Sequence, residues 1–387
     1  MPYDRRTKSN KYLLFTRPTE HFPLTIIITF TLHYIRSYTF PERHFNSSTM
    51  MKPTVLSALP LMASLAKAAP LVARDNIDAT VLQFALTLEH LENKFYNGAL
   101  EKFSEKDFND AGYSSDYYHN LQYIGHDEAE HVKLLSGALT AAGVTPVEEC
   151  VYDFPYTDIP SFITLSSVLE GVGTSAYLGG APLITSKAYL TVAGSILVTE
   201  AMHTSYQRAA IGEAAIPNPY GTPLDPTSVY TLAAAFIKSC PETNAALPFK
   251  PFPSLAVTPA ESKDKRNLGL HVSFGGHKWE PHHEEDGKPY LSEPKEPMIP
   301  CAGQTVSFTA ESDIPEGSYV TFVNGLGVVS IKGEVEGKTI SAAIPETVEG
   351  QAYVFVSSKD VEASLDDSAV LFGPAILEVK PQAPTPY

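Results

Sequence analysis

The sequence predicts two domains of different class, an all-α four-helix bundle followed by an all-β sandwich. In the predicted helical domain, residues 76–257, the apolar periodicity of amphipathic helices extends to about residue 239, whereas the predicted β domain, residues 301–380, alternates apolar and polar side chains with a period of two from Gly303. Gly and Pro lie mainly at the ends of the helical segments and punctuate the alternating region roughly every 8–12 residues. A length of 387 residues also fits more than one domain.

Composition and charge exclude several classes of protein. Hydrophobic residues make up 43% of the chain, which is enough for real cores, and the net charge of −16 argues against a nucleic-acid-binding protein. Apolar runs are shorter than the ~18–20 residues that span a bilayer. The Gly-x-Ser-x-Gly elbow of hydrolases is missing, and so are phosphate-loop and dinucleotide fingerprints. We therefore look for chemistry elsewhere in the chain.

The first 70 residues differ from the rest in charge. They hold nine Lys or Arg and three Asp or Glu, a net charge of +6, so the remainder carries −22. Residues 51–68 have the layout of a signal peptide, with Lys52 before an apolar stretch and Ala66–Ala68 as a small-x-small cleavage site. We expect a secreted protein, with residues 1–50 a non-native extension of the gene model or a disordered segment. An amphipathic or targeting arm is the alternative.

Secretion implies an oxidising compartment, in which cysteines form disulfides. The chain has three cysteines, Cys150, Cys240 and Cys301, so at least one is unpaired within the chain. Cys150 and Cys240 both fall in the helical region and could pair.

Four long helices and one shorter helix are predicted. They cover residues 77–102, 115–142, 160–179, 187–212 and 226–239. The first and second long helices are joined by a short link, as are the third and fourth. The second and third are joined by a longer, Pro-containing stretch over residues 143–159. This short–long–short order is typical of a four-helix bundle with one crossover connection.

Residues 258–300 separate the two domains as a linker or insertion. The part over residues 262–297 is rich in Pro and charge and contains four histidines followed by an acidic run. No pair of these residues has firm metal-ligand spacing on a regular element, so we favour a solvated loop over a metal site.

The region after Gly303 predicts short antiparallel strands. Residues 305–309 and 319–323 alternate strictly, and further runs follow at 327–332, 338–344, 351–357 and 369–379. This pattern favours an immunoglobulin-like sandwich. It contains no cluster of catalytic residue types, so we expect a role in packing or adhesion.

The helical region contains one strong chemical signal, a Glu-x-x-His pair on each of two helices. Glu128 and His131 lie on the second long helix, and Glu200 and His203 lie on the fourth. At a spacing of three, Glu and His project from one helical face. The first and third long helices each add a glutamate beside apolar residues. Together these residues form the ligand set of a carboxylate-bridged di-metal bundle. That set is Glu89, Glu128, His131, Glu170, Glu200 and His203.

Electrostatics explains why these residues should act together. A buried unpaired carboxylate costs several kcal/mol, and a domain is stable by only ~5–15 kcal/mol. Two divalent cations would balance four carboxylates, and two imidazoles would add neutral donors. Oxygen and nitrogen ligands in this mixture suit iron, which we predict as two ions, or manganese.

One ligand position is ambiguous, because Glu89 and Glu92 are three residues apart on the same helix. We favour Glu89, since Tyr96 follows two turns later on the same face, as Tyr177 follows Glu170. Glu92 is then close to the ligands or faces solvent. The two tyrosines could bond the ligands or shuttle electrons, or simply fill the core. Four neighbouring residues are expected to be exposed: His90, His126, Asp127 and Glu130.

The segments that carry these residues resemble the ferritin-like superfamily. They are Leu86–Glu92, Asp127–His131, Val168–Gly173 with Ala188–Leu190, and Glu200–His203. The resemblance covers residues 76–257. Within the superfamily, the sequence is similar in particular to secreted fungal ferritin-like proteins, which are often labelled stress-response or sexual-development proteins. It implies a ferritin-like four-helix bundle with the same six ligands. Because the superfamily spans iron oxidation, peroxide reduction and substrate oxidation, the resemblance implies no single reaction.

Two hypotheses of function follow. In the first, a secreted di-iron protein consumes O2 or peroxide in a stress response, with Glu128 and Glu200 bridging the metals. The extra sandwich domain argues against an iron-storage shell. In the second, the protein is a non-catalytic component of the cell surface or matrix, with a partner at the cell wall. The sequence specifies neither the oligomeric state nor the reductant.

Overall fold

A computed structural model describes residues 77–258 and 299–382. The predicted extension over residues 1–50, the predicted signal peptide over residues 51–68 and the histidine-rich linker segment lie outside the described residues. The metal-ligand candidates and the alternating C-terminal region all lie inside them. None of the described helices combines the length and the apolar character that a membrane crossing requires.

The helices begin and end close to the predicted positions. They are α1 (Ile77–Lys102), α2 (Glu105–Asp110), α3 (Ser115–Ala141), α4 (Ile159–Gly180), α5 (Lys187–Ala210) and α6 (Pro226–Ala234). Polar N-caps start most of them. Ser114 accepts a hydrogen bond from the first turn of α3, and Asp158 does the same for α4. The short helix α2, with Ser104 as its cap, was not predicted.

The four long helices pack as two pairs, α1 with α3 and α4 with α5. The long connection between α3 and α4 carries the chain from one pair to the other, as a bundle with one crossover requires. Asp78 on α1 ties the two pairs together. Its carboxylate accepts bonds from the backbone amides of Thr185 and Ser186 at 2.6 and 3.1 Å, just before α5.

The last predicted helix is shorter than expected. α6 ends at Ala234, and strand β2 (Ile237–Ser239) follows, antiparallel to β1 (Val151–Tyr152) in the crossover. The prediction of helix over residues 235–239 was therefore wrong. Cys150 and Cys240, beside these two strands, form a disulfide. Pairing with a distant segment outweighs the local helical pattern here. Cys301 is free and exposed.

The C-terminal region consists of two antiparallel sheets. One has the strand order β10-β9-β5-β6 and the other β3-β4-β8-β7. The strands are β3 (Leu255–Thr258), β4 (Thr305–Ala310), β5 (Tyr319–Asn324), β6 (Gly327–Lys332), β7 (Glu334–Glu336), β8 (Thr339–Ala343), β9 (Gly350–Ser357) and β10 (Val370–Val379). β3 lies in the segment that we assigned to the end of the helical domain. It pairs with β4 across the linker.

The two sheets share an apolar core in which Phe308 of one sheet contacts Phe322 of the other at a ring-centroid distance of 6.5 Å. A second core joins the sheet containing β9 to the helices. It includes Phe355 and Ile376 from the strands together with Phe95 and Leu169 from the bundle. Apolar burial therefore holds the β region against the bundle.

Polar contacts fix the orientation of β9 on α4. The hydroxyl of Tyr353 lies 2.8 Å from Ser175 Oγ and 3.0 Å from the carbonyl oxygen of Gly171. Gln351 donates to the Val168 carbonyl at 3.3 Å. A Cβ atom on residue 171 would lie 2.6 Å from the end of the Gln351 side chain, so a larger residue there would displace Gln351 from this contact. These contacts lie on both sides of Glu170 along α4.

A buried ion pair adds a second connection. Arg208 near the end of α5 donates from both terminal nitrogens to the Glu378 carboxylate on β10, at 2.9 and 2.7 Å. The Arg208 side chain is 4% exposed and Glu378 is 28% exposed. Bidentate pairing of this kind restricts geometry as well as adding energy.

Replacing Tyr353 by Phe is expected to lower the free energy of unfolding by about 1–2 kcal/mol, because a buried hydrogen bond is lost and its partners stay buried. Urea unfolding followed by circular dichroism measures the change. The control is Tyr123→Phe, since Tyr123 is 69% exposed. Equal effects of the two substitutions would contradict a specific role for the Tyr353 hydroxyl.

Candidate metal centre

The structure brings all six predicted ligands together in the middle of the bundle. They form two overlapping groups whose donor atoms lie within 4.8 Å of one another. The first group is Glu89, Glu128, His131 and Glu200, and the second is Glu128, Glu170, Glu200 and His203. Glu128 and Glu200 belong to both groups. They therefore occupy the positions that carboxylates bridging two cations would take.

Helix geometry explains this convergence. On α3 and on α5, the Glu and His of each pair are one turn apart, so both side chains leave the same face. α1 and α4 each contribute a single glutamate at the same depth. All four glutamates have 0% relative exposure, and His131 and His203 are 8% and 5% exposed.

Both imidazoles turn Nδ1 toward the carboxylates. His131 Nδ1 lies 3.2 Å from Glu89 and from Glu128, and 3.4 Å from Glu200. His203 Nδ1 lies 3.0 Å from Glu128 and 3.4 Å from Glu170. These atoms are therefore the imidazole donors available to a metal.

Asp127, which the sequence predicts to be an exposed neighbour, contacts one of the candidate ligands. Its side chain is 42% exposed, yet its carboxylate lies 3.3 Å from His203 Nε2. A carboxylate that accepts from the outer nitrogen of a histidine orients the ring and raises its basicity as a ligand. The signal available in the sequence was its position next to Glu128. His126 and Glu130 are exposed as predicted, with side chains 68% and 48% exposed, whereas His90 is half-buried and contacts the Val147 carbonyl.

The two predicted tyrosines bond the glutamates, but with exchanged partners. The Tyr96 hydroxyl of α1 donates to Glu170 on α4, and the Tyr177 hydroxyl of α4 donates to Glu89 on α1. Each tyrosine therefore crosses to the opposite helix instead of contacting the glutamate two turns before it. Both are buried.

Gln207 extends this network and was not predicted. Its side-chain nitrogen donates to the Tyr96 hydroxyl at 3.2 Å, and its oxygen accepts from the Tyr117 hydroxyl at 2.6 Å. The residue lies four positions after His203 on the same helix and is fully buried. A polar residue one turn beyond a ligand on the inward face was the available signal.

Glu92 is a fifth buried carboxylate, 4% exposed, outside the two ligand groups. Its carboxylate and that of Glu200 both lie next to Gly173. A Cβ atom on residue 173 would lie 2.6 Å from Glu200 Oε2 and 2.8 Å from Glu92 Oε1. Burial, followed by the charges of Glu200 and the other glutamates, raises the pKa of Glu92 well above its ordinary value. Of the two alternatives for Glu92, the position close to the ligands is the one observed.

The donor set fits metal ions on two counts. First, four buried carboxylates match the charge of two divalent cations. Second, several buried polar atoms have no well-formed hydrogen bond among the described residues. The six that belong to the cluster are Glu89 Oε2, Glu128 Oε1, Glu170 Oε2, both carboxylate oxygens of Glu200 and His203 Nδ1, and Ser228 Oγ lies outside it. Buried polar atoms without partners are costly, and coordination of a cation would satisfy them.

Without a metal, the cluster holds protons instead. Burial raises the pKa of Glu128 to about 7, although contacts with His131 and His203 lower it. Burial and the charge of Glu128 also raise the pKa of Glu200. Burial alone would lower the pKa of each histidine, but the surrounding carboxylates outweigh it and raise the pKa of His203 to about 11. Metal binding must therefore displace protons.

The metal-free protein is expected to lose stability as pH rises from about 5 to about 9. Glu128 stabilises the fold fully below pH 4.5, and this contribution is lost as the pH rises through about 7. His203 stabilises the fold fully below pH 6.5, and this contribution is lost as the pH rises through about 11. The metal-loaded protein should show the opposite trend, because protons compete with the metal. Melting temperatures of both forms across this range provide the test. A rise for the metal-free form would contradict it.

Comparisons with known proteins agree with the helical part of this description. Residues 77–213 match the family described as the Ferritin-like domain, about a third of the chain. The chain is 28% identical over 180 residues to Protein rds1 of Schizosaccharomyces pombe, an alignment that covers 46% of this chain and 44% of that protein. The chain thus matches less than half the length of this relative.

A solved structure, a conserved hypothetical protein, rv2844, from Mycobacterium tuberculosis, is 18% identical, with a TM-score of 0.31, covering 35% of this chain and 91% of that one. The residues that match the Ferritin-like domain, 77–213, are also the residues that carry the buried Glu and His cluster, which is compatible with a di-metal centre.

Proposed function

We propose that this protein is a secreted di-iron protein that oxidises iron with O2 or peroxide as part of a stress response. The observation that carries the proposal is the sharing of Glu128 and Glu200 between two buried donor groups. Such sharing is the arrangement of ferritin-like di-iron and di-manganese proteins. Manganese is the alternative metal, because the same oxygen and nitrogen donors suit it.

Each part of the chain has a role in this proposal. Glu89 and His131 would hold one ion and Glu170 and His203 the other, while Glu128 and Glu200 hold both. When bound, two Fe2+ ions would each give up one electron, which together with two protons reduce one peroxide to water. Tyr96 and Tyr177 hold Glu170 and Glu89 in place through their hydroxyl groups. Asp127 orients His203 from outside.

Burial supports the same proposal. The four glutamates have no exposed surface, so bulk water is excluded from them and charge interactions within the cluster are strong. Exclusion of bulk water from the buried cluster would also limit side reactions with solvent.

Secretion is supported by the Cys150–Cys240 disulfide, because disulfides persist in oxidising compartments. The two sheets, which share one apolar core, support an immunoglobulin-like arrangement of the C-terminal domain. Its contacts with both sides of Glu170 on α4 favour a structural role for this domain in support of the bundle.

Anaerobic titration of chelator-treated protein with Fe2+ is expected to saturate near two ions per chain, because the charge of two divalent ions balances that of four carboxylates. Admission of O2 or peroxide should then oxidise the iron, with oxygen uptake measured by electrode. The variant His131→Ala should lower the stoichiometry and the rate. His126→Ala, at an exposed position on the same helix, is the control.

Two outcomes would contradict the proposal. Protein that binds no Fe2+, with a melting temperature unchanged in excess Fe2+, would exclude a di-iron site. Protein that binds two ions without consuming O2 or peroxide would exclude the reaction and leave a non-catalytic secreted scaffold as the function.

A further inference from the structure

An apolar cavity lies beside the candidate metal centre, lined mainly by α1 and α4, with single residues from α3 and α5. Its volume is about 110 Å3. Leu88, the neighbour of Glu89, and Leu135, one turn beyond His131, form part of its wall, and Tyr177 lines the side toward the metal centre. The Tyr177 hydroxyl donates to Glu89, so one side chain separates the cavity from a candidate ligand.

The chemistry of the wall excludes water as the natural occupant. Among the described residues that line the cavity, Thr80 and Tyr177 alone carry a polar side-chain group. The Tyr177 hydroxyl already donates to Glu89. A water molecule in a cavity needs about two to four polar partners, and an apolar cavity of about 150 Å3 stays dry and binds benzene or xenon.

The cavity also reaches the surface. Ile77 and Leu183 belong to its wall and are 42% and 38% exposed, so apolar side chains mark its opening. Pro248 and Phe249, from the segment that follows the disulfide, form another part of the wall. Exposed apolar residues at the mouth of an apolar cavity favour entry of an apolar molecule rather than an ion.

We propose that this cavity binds a small apolar organic molecule, of about the size of a single six-membered ring, with one end against Tyr177. The volume is too large for a dioxygen molecule to fill and the wall is too apolar for a charged or strongly polar ligand. The bound molecule lies next to the Tyr177–Glu89 contact. This binding depends only on the cavity and is independent of the proposed function.

The test uses fluorobenzene as the probe and the full chain in both metal-free and metal-loaded forms. Binding is measured by 19F NMR line broadening and by the rise in melting temperature with probe concentration. We expect saturable binding with a dissociation constant in the millimolar range or below. The variant Ala193→Leu, which fills the cavity from α5, should weaken binding by at least about tenfold, which is about 1.4 kcal/mol.

A second variant and a control make the result decisive. Ala85→Leu fills the cavity from α1 and should act like Ala193→Leu if that variant fails to fold. Ala209→Leu makes the same change at an exposed position on α5 and should leave binding unchanged. Circular dichroism checks that each variant is folded.

Three outcomes would overturn the proposal: no saturable binding of fluorobenzene, binding that both cavity-filling variants leave unchanged, or binding of xenon without binding of fluorobenzene, since that pattern shows a cavity for gas molecules only.

Iron stoichiometry is measured on the same samples. Loss of probe binding with normal metal loading rejects the cavity ligand alone. Normal probe binding in protein that takes up no metal rejects the di-iron function but not the binding.

Discussion

Replacing Glu128 by Gln is expected to remove metal binding while leaving the metal-free protein as stable as the wild type or more stable. Glu128 belongs to both donor groups, so its loss affects both ions. Changes in residues that merely contact ligands cost about 10–100-fold in metal affinity, so loss of a shared ligand should cost more than about 100-fold.

The change in stability has the opposite sign because burial disfavours the charge of Glu128. Its pKa of about 7, against an ordinary 4.5, means that the folded metal-free protein pays to ionise this carboxyl group. Glutamine is neutral and similar in shape. The free energy of unfolding of the metal-free variant at pH 8 should therefore exceed that of the wild type by about 1–3 kcal/mol. Loss of the charged contacts between Glu128 and the two histidines reduces this gain.

Measurements are Fe2+ titration for affinity and denaturant unfolding in the presence of chelator for stability. Glu130→Gln is the matched control, because Glu130 lies on the same helix with its side chain 48% exposed and pairs with Lys133. A metal-free variant that is strongly destabilised would show that Glu128 holds the fold together rather than serving a metal.

Replacing Gly173 by Ala is expected to lower metal affinity by at least about tenfold with a smaller effect on folding. The new methyl group would lie within 3 Å of the Glu200 and Glu92 carboxylates, closer than carbon and oxygen atoms approach without displacement. These carboxylates are the ends of flexible side chains, so they can move at a modest cost. Moving Glu200, however, displaces a ligand shared by both groups, and a supporting shell that is about 1 Å out of place weakens such a site.

Gly194→Ala is the control for this substitution. Gly194 lies on α5, and a Cβ atom there would have no neighbouring atom within 4 Å. Alanine in a helix is favoured over glycine by roughly 0.5–1 kcal/mol, so this variant should be slightly more stable with unchanged metal affinity. If Gly173→Ala binds metal like Gly194→Ala, the close approach of the two carboxylates has no role in the centre.

The helical domain was the more predictable of the two. Apolar periodicity and the polar caps Ser114 and Asp158 place helix boundaries within a few residues, because these signals are local. The Glu-x-x-His spacing is local too, so the faces of α3 and α5 that carry Glu128 and Glu200 follow from the sequence.

Contacts between distant segments were the less predictable part. The segment 235–239 has a helical pattern, but Ile237–Ser239 pairs with Val151–Tyr152 more than 80 positions earlier. Similarly, β3 pairs with β4 across the linker. Local propensity does not register such partners, since strand pairing depends on which segments meet in space.

The choice between Glu89 and Glu92 shows the same division. Sequence spacing leaves Glu92 either close to the ligands or facing solvent, whereas in the structure both glutamates are buried. The structure places Glu89 beside His131 and under the Tyr177 hydroxyl, whereas Glu92 lies above Gly173, outside the two groups. The exchange of tyrosine partners was also unpredictable, because it depends on how α1 and α4 face each other.

By itself, the sequence determined which residue types occur at which turn of each helix, and hence that six metal-binding side chains are available on inward faces. Only the tertiary structure decided that Glu128 and Glu200 are shared, that Asp127 and Gln207 support the ligands, that Cys150 pairs with Cys240, and that an apolar cavity ends at Tyr177. The reason is physical. Helical spacing is a property of one segment and can be read along the chain, whereas distances between side chains on different helices depend on the packing angle and depth of those helices, which the whole core sets.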